Sequence, residues 1–341
     1  MKKIFIGVDF SKEKIDVVMI SANGLNETAP RVFEEFKNNK SGYNQLVKWV
    51  KKNSNSQDDA QMLFCGENTG GYSLGLCNYL YGKGLDMWLE NAKSIKDASG
   101  IRRLKTDRAD ASMIAEYAMR NYDKAVIYKP LSKSLSDLRE LFLYRQMIVR
   151  ERSSLMVRRS EKKLTMEKSH AKTVISQSSR HLITEMNKEI AKIDKQIEEL
   201  IHQDEELKEV YAIVTTVPGI GTQNAVCLMV YTDNFRKFSY DSRKIACYYG
   251  IAPFGKDSGT SVHTDPHVHF MANRQIKAIL TQAALSATTH NPVIRDYYKR
   301  LLARGKKKQV ALNNVKNKLI HIVTAMVRNH QIFNPEYKIA A

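Results

Sequence analysis

Two aspartates three residues apart carry the first chemical signal in this sequence. Asp107 and Asp110 open a helical run, 107–122, in which apolar residues recur every three or four positions. Residues at this spacing share one helical face, where two carboxylates can ligate a hard divalent cation. The same pattern also suits a simple helix start, with Thr106 as N-cap and acids in the first turn.

Acids at the ends of two strands favour the metal interpretation. A short apolar run, 4–8, is closed by Asp9, and a second one, 61–66, is closed by Glu67. On neighbouring strands these two acids would lie close together, and the helix would add Asp107 and Asp110. Four carboxylates around one point repel each other unless cations intervene. The four acids therefore predict a site for Mg²⁺ or Mn²⁺.

The elements that must position these acids predict an α/β domain over residues 1–130. Two β-rich runs joined by a turn at 11–14 form a hairpin, and a third strand is expected near 31–36. Helices and strands then alternate. The order hairpin, third strand, helix, strand, helix, strand, helix is that of a ribonuclease H-like sheet.

The middle of the chain, 131–211, predicts two long helices that break near 168–179. A seam of apolar residues with heptad spacing runs along the second helix: Met186, Ile190, Ile193, Ile197 and Leu200. The segment 145–172 is rich in Arg and Lys. The helices are expected as an antiparallel hairpin or an intermolecular coiled coil. We favour an oligomerisation role over a solvated helical linker.

The last part, 212–341, predicts a mainly α domain with one chemically notable loop. A Gly-x-Gly turn at 217–221 precedes a helix, where backbone N–H groups can hold a phosphate. Further helices are expected at 238–249, 273–289 and 309–328. The loop between the first two of these contains Ser258 before Gly259 in a run of small residues, 250–261. A serine in such a loop can be exposed on a flexible backbone, although most Ser-Gly pairs are turns.

The chain that follows this loop carries four side chains of types that can ligate a metal, but their spacing argues against a metal site. His263, Asp265, His267 and His269 would share one face of an extended chain. Pro266 and the short spacing make a regular strand doubtful. A phosphate-facing or incidental role is favoured.

The composition points to a polyanionic partner. The chain has 341 residues, 43% of them hydrophobic and 26% charged, with a net charge of +18. Such a surplus of positive charge is typical of nucleic-acid-binding proteins. We find no apolar run long enough to span a membrane. Four cysteines in apolar segments without metal-ligand spacing indicate reduced core thiols of a cytoplasmic protein.

Basic residues near the candidate sites are the expected nucleic-acid contacts. One group surrounds the aspartate pair, a second follows the serine loop, and a third lies downstream of a Tyr-Tyr pair, an aromatic and basic mixture that suits nucleic acid. Solvated basic loops are the alternative for the third group. The residues are Arg103, Lys105 and Arg108, then Arg274 and Lys277, then Lys306 and Lys307.

Taken together, these motifs resemble the DEDD-type insertion-sequence transposases, relatives of the Piv-type DNA invertase. The resemblance rests on Gly7-Val8-Asp9, the segments 67–72 and 105–111, Val217 to Gly221, Gly250 to Pro253 and Ser258-Gly259. It implies a RuvC-like domain with the catalytic metal ligands Asp9, Glu67, Asp107 and Asp110. A coiled coil would follow, and then a transposase domain with Ser258 as nucleophile. Lys277 departs from the arginine common in the family and loses a bidentate phosphate contact.

The resemblance also implies the partners. Relatives cut and rejoin donor and target DNA and resemble recombinases guided by a structured bridge RNA, so DNA, a non-coding guide RNA and a dimeric or tetrameric assembly are expected, in the cytoplasm at the nucleoid. Two alternatives stay open. A Holliday-junction-type nuclease would need the four acids but not Ser258, and a non-catalytic scaffold would need neither site.

Overall fold

The chain divides into two compact units, which meet in sequence after Pro130. The computed structural model describes residues 4–21, 31–54, 58–100, 106–165, 169–258, 262–268 and 273–336. Among these residues, no helix is long and apolar enough to cross a membrane. The first unit is an α/β domain and the second is mainly helical, as the sequence predicts.

The described residues of the first unit form five strands and four α-helices. Two of the strands, 4–10 and 14–21, are apolar runs rich in β-branched residues, and the helices begin at Asn, Gly or Thr N-caps. The strands are β1 (Ile4–Phe10), β2 (Lys14–Ser21), β3 (Arg31–Lys37), β4 (Met62–Glu67) and β5 (Met87–Glu90), and the helices are α1 (Lys40–Asn53), α2 (Gly71–Tyr81), α3 (Ala92–Ala98) and α4 (Asp107–Asn121).

The strands form one mixed sheet in the order β3-β2-β1-β4-β5. The hairpin of β1 and β2 is antiparallel, as is the pair β2 and β3, whereas β4 runs parallel to both β1 and β5. The predicted hairpin, third strand and two later strands are therefore confirmed. Gly70 is the N-cap of α2.

Side chains alternate between the two faces of this sheet and create two cores. Ile6 and Val8 of β1 belong to the core that includes α1 and α2. Phe5 belongs to the core on the α4 side. Gly7 also faces α4, where a Cβ atom would collide with the backbone of Ala111 and Ala115. Glycine at this position therefore lets α4 pack directly against the central strand.

Eight helices and a two-stranded hairpin form the described part of the second unit. The first of the two long helices ends at Thr165 and the second begins at His170, so residues 170–179, part of the expected break, are helical instead. The helices are α5 (Lys133–Thr165), α6 (His170–Gln203), α7 (Glu205–Thr215), α8 (Thr222–Thr232), α9 (Ser242–Tyr248), α10 (Arg274–His290), α11 (Pro292–Ala303) and α12 (Lys308–Arg328), and the strands are β6 (Pro253–Ser258) and β7 (Val262–Val268).

The two long helices pack on each other in opposite directions. Arg145 of α5 is paired with Asp194 of α6 at 2.6 Å, and Arg152 of α5 donates to Asn187, earlier in α6, at 2.7 Å. Ile193 and Ile197, in the predicted seam, are buried within this single chain. The antiparallel hairpin is thus formed, whereas association of two chains through these helices stays a prediction.

The C-terminal helices share one core, and one glycine permits their close approach. Gly219 has φ +104°, and a Cβ atom there would lie 2.6 Å from the backbone of Ala287 in α10. The predicted Gly-x-Gly turn therefore has a packing reason for its first glycine. Gly221 is the N-cap of α8.

Several predictions for this unit are wrong in detail. The expected loop 250–261 contains β6, and β7 forms in spite of Pro266. The expected helix 238–249 is shortened to α9, because Ser239 and Tyr240 adopt left-handed backbone conformations with φ of 51° and 56°. Helix α11 had not been predicted; Asn291 caps it and Pro292 occupies its first turn.

Candidate active site

Strand pairing aligns acidic residues across the first sheet. Asp9 on β1 lies directly opposite Asp16 on β2, and Asp16 lies opposite Glu35 on β3. On the other side of β1, Glu67 of β4 comes level with Asp9 and pairs with Glu90 of β5. We call these five residues the acid row. Directly paired residues point to the same face, so the row lies on the face that α4 covers.

Helix α4 brings two more acids to the centre of the acid row. Its N-terminus is fixed by Thr106, whose side chain accepts a hydrogen bond from the Ala109 N–H at 3.2 Å, so the predicted cap is confirmed. Ala111 packs over Gly7, two residues before Asp9 on the same strand face. The preceding turn of the helix, with Asp107 and Asp110, therefore lies near Asp9.

The pKa of the Asp9 carboxyl group reflects its burial and its acidic neighbours. Its pKa is raised to about 6, first by burial and then by the charges of Asp110, Glu67, Asp16 and Asp107. Each nearby carboxylate disfavours ionisation of the others, and partial burial strengthens the effect. The structure thus brings together the four acids that the sequence singles out.

One cation lies among these acids, and the sequence analysis missed it. The Nζ atom of Lys14 lies 2.9 Å from Glu35, 3.1 Å from Asp107 and 3.2 Å from Asp16. Hydrogen bonds to Glu35 first, then to Asp107 and Asp16, raise the pKa of Lys14. Asp16 was also missed; it is buried, and burial raises its pKa although Lys14 opposes that shift.

The chemistry and the charge of these acids suit a divalent cation, but their side chains do not converge closely enough in this structure to ligate one ion. Carboxylate oxygens are the ligands that Mg²⁺ and Mn²⁺ prefer. The pKa of Asp9 is raised first by burial and then by repulsion from nearby carboxylates, and a cation would relieve that repulsion. Among the described residues, however, no three of the His, Cys, Asp and Glu side chains are close enough to hold one ion. A divalent ion would therefore require side-chain positions other than those in this structure.

The candidate nucleophile ends the first strand of the β6–β7 hairpin. Ser258 is paired with Val262, and the register shifts between Phe254 and Lys256. The side chain of Ser258 lies outside the described part of the structure, as does Ser261, its competitor. Of the four candidate ligands downstream, only His267 has a described side chain, and it is exposed.

The predicted nucleic-acid contacts are mostly exposed. The guanidinium of Arg108 lies over the ring of Phe33, 5.4 Å from its centroid. This is a cation–π contact, in which the positive charge is attracted to the face of the aromatic ring. Arg274 is exposed at the start of α10, and Lys306 and Lys307 are exposed just before α12. Arg103 and Lys105 lie outside the described residues.

Lys277 has an unexpected neighbour. It is half-buried on α10, and its positive charge helps burial to lower the pKa of Lys316 on α12 to about 8. Lys316 is only 6% exposed and donates to the Thr281 hydroxyl at 3.3 Å. No local sequence pattern marks this pair, because the two lysines lie on different helices.

The cysteines match their predicted state with one exception. Cys65, Cys77 and Cys227 are buried, and burial raises the pKa of Cys77 and Cys227 to about 12. Their thiols are therefore unreactive core groups. Cys247 is exposed on α9 and is not the core thiol that the sequence predicts.

Comparisons with known proteins identify relatives along nearly the whole chain. Residues 6–166 match the family model of the IS110-type DEDD transposases, and residues 211–299 match that of the transposases of the IS116/IS110/IS902 family. The two ranges contain Asp9, Glu67, Asp107, Asp110 and Ser258, and together they cover well over half of the chain.

Individual relatives agree with the family models. The chain is 25% identical to the pilin gene-inverting proteins of Moraxella lacunata and Moraxella bovis, over 98% of both sequences in each case. It is 34% identical to an uncharacterized 43.6 kDa protein of insertion element IS110 from Streptomyces coelicolor, over 34% of this chain and 28% of that protein.

Proposed function

The chain belongs to the IS110 family of DEDD transposases and is a DNA-cutting and rejoining enzyme, and we propose that four acids and one serine perform this reaction. The acids are Asp9, Glu67, Asp107 and Asp110, and the serine is Ser258. The observation that carries the proposal for the acids is geometric: strand pairing sets Glu67 level with Asp9, and the packing of Ala111 over Gly7 brings the first turn of α4, with Asp107 and Asp110, near them.

The four acids would hold Mg²⁺ or Mn²⁺. Membership of the DEDD transposases implies dependence on a divalent metal in general. Such an ion supplies positive charge for the phosphate and lowers the pKa of a bound hydroxyl. The chain's own residues contribute the negative charge that retains the ion and, through Gly7 and the close packing of α4, the fixed spacing between strand and helix acids.

Ser258 would make the covalent bond. Its Oγ atom attacks a DNA phosphorus, the Oγ–P bond forms, and the bond from phosphorus to one deoxyribose oxygen breaks. The serine hydroxyl loses its proton as it attacks, and the leaving deoxyribose oxygen takes up one proton and departs as a hydroxyl group, so the step balances. A hydroxyl group of another strand then reverses the step and releases the serine, so the phosphodiester energy is retained and no ATP is consumed. Serine needs activation at neutral pH.

A denaturing gel tests the nucleophile directly. Full-length protein is incubated with end-labelled DNA and Mg²⁺, and the expected product is a protein–DNA adduct. Ser258→Ala should abolish the adduct, whereas Ser261→Ala should retain it. Loss of the adduct in Ser261→Ala alone would transfer the role to Ser261. DNA cleavage by Ser258→Ala at the wild-type rate would instead support the Holliday-junction-type nuclease.

The proposed partners follow from charge and family. We propose that donor and target DNA and a structured guide RNA bind the basic surface, in line with a net charge of +18. We also propose a ribonuclease H-like (RuvC-like) fold for the first unit, supported by its strand order. Exposed apolar residues on the long helices, among them Val157 and Val174, leave room for a coiled coil with a second chain in a dimer or tetramer.

A further inference from the structure

Lys14 links the proposed metal site to the outer half of the acid row. It begins β2, directly after the turn from β1, and its ammonium group contacts three carboxylates from three elements. One of them, Asp107, is a proposed metal ligand, whereas Asp16 and Glu35 are not. Asp16 is nearly buried, with 4% of its side chain exposed, which fixes one end of this arrangement.

We propose that Lys14 is a tethered counter-ion that competes with the divalent cation for Asp107. The inference rests on the proposed metal role of Asp107. An ammonium group that donates to a carboxylate draws on the same lone-pair density that a metal ion would use, and the two positive charges repel each other. Lys14 is therefore a positioning residue whose charge sets how tightly the site binds metal.

The same contacts explain why the acids stay together without metal. Four neighbouring carboxylates repel the charge of Asp9. The ammonium group of Lys14, beside Asp16 and Asp107, offsets part of this repulsion. Once a divalent ion binds, that compensation is redundant, and the ammonium group opposes the ion. Removal of Lys14 should therefore have opposite effects on the metal-free protein and on metal affinity.

Mn²⁺ binding to the full-length protein, followed by electron paramagnetic resonance of the free ion, tests the competition. Lys14→Met should bind Mn²⁺ roughly tenfold more tightly than wild type. Lys14→Arg, which keeps the charge, should bind like wild type. Lys12→Met is the matched control, because exposed Lys12 lies in the same turn and its loss changes the net charge equally.

Thermal unfolding provides a second readout that a purely structural role would not reproduce. Without metal, Lys14→Met should melt below wild type, and Mn²⁺ should raise its melting temperature more than that of wild type. If the methionine variant does not fold, Lys14→Gln gives the same comparison, since its amide can still donate to Glu35.

The outcomes separate this inference from the function on which it rests. Equal or weaker Mn²⁺ binding by Lys14→Met than by wild type, with wild-type binding intact and lost in Asp107→Asn, would overturn the role of Lys14 and leave the metal site standing. No Mn²⁺ binding by wild type or by any Lys14 variant would overturn both. Binding by Lys14→Met alone would support the competition in its strongest form.

Discussion

The acid row of the first unit and the lysine pair of the second each place like charges together at a partly buried site. In the first, burial and then Asp110 raise the pKa of Asp9 to about 6. In the second, burial and then Lys277 lower the pKa of Lys316 to about 8. Both arrangements cost stability in the isolated protein, and each would be relieved by a ligand of opposite sign.

The two sites differ in how their charge is balanced. Lys14 lies beside the acid row and pairs with two of its members, Asp16 and Glu35, and with Asp107 of α4. Within the described ranges, Lys316 has no ion pair with an acid, and its recorded partner is the Thr281 hydroxyl. The proposed metal site is thus partly neutralised before a cation binds, whereas in the described part of the chain no acid is paired with Lys316. That difference suits an enzyme that binds a small cation and a large polyanion.

Substitution of a proposed metal ligand should have the largest effect. Asp9→Asn keeps the shape of the side chain but removes its charge, so strand cleavage should fall by at least about 100-fold, while DNA affinity stays near that of wild type. Gel-based cleavage and fluorescence anisotropy measure the two quantities.

Glu90→Gln is the matched control for this variant. Glu90 lies at the end of the same acid row but is not a proposed ligand, and its substitution should reduce cleavage by less than about tenfold. Equal losses in both variants would mean that the whole row acts through its summed charge, which would break the distinction between ligands and neighbours.

The pH dependence of metal binding should come next in size. A proton on Asp9 competes with the ion, so Mn²⁺ affinity should fall by up to about tenfold per unit as the pH drops below 6. Calorimetric titrations at pH 7.5 and pH 5 would measure this fall. At pH 6, titrations in buffers of different ionisation enthalpy should also detect proton release. A constant affinity from pH 5 to 7.5 would show that Asp9 is not a ligand.

Much of the first unit could be predicted because its signals are local. Gly7 to Asp9, the turn at 11–14 and the Thr106 cap each have a short sequence pattern. Asp16 could also have been found: the turn closes with a hydrogen bond from the Ser11 N–H to the Lys14 carbonyl, which places Asp9 opposite Asp16. The role of Lys14 could not have been predicted from a local pattern, since its contact with Asp107 joins residues 93 positions apart.

The second unit was harder to predict because tertiary pairing outweighs local preference there. The segment around β6 and β7 is rich in Gly, Ser, Asp and Thr, which disfavour strands or mark turns, yet the two strands pair over most of their length. In the predicted helix 238–249, nothing in the residue types of Ser239 and Tyr240 announces their left-handed conformations. The Lys277–Lys316 pair likewise arises from the packing of α10 on α12.

The smallest expected effect, on stability, distinguishes the lysine pair most clearly from the acid row. The pKa of Lys316 lies below its usual 10.5, so the folded protein bears the cost of a buried charge below about pH 8 and loses that cost as the pH rises toward 10.5. Lys316→Met should therefore stabilise the protein at pH 7 by about 1–2 kcal/mol after allowance for solvent screening. Denaturant unfolding should show this gain, and it should shrink at pH 10.

Lys318→Met, on the same helix but half-exposed, should give no such gain. The more stable Lys316 variant should also bind DNA more weakly and with a smaller dependence on salt, because one fewer cation then displaces counter-ions from the phosphates. Stabilisation with unchanged DNA affinity and salt dependence would show that the lysine pair does not bind the polyanion. The acid row and the lysine pair would then differ in function, because burial of Lys316 would lower the stability of the folded protein without contributing to ligand binding.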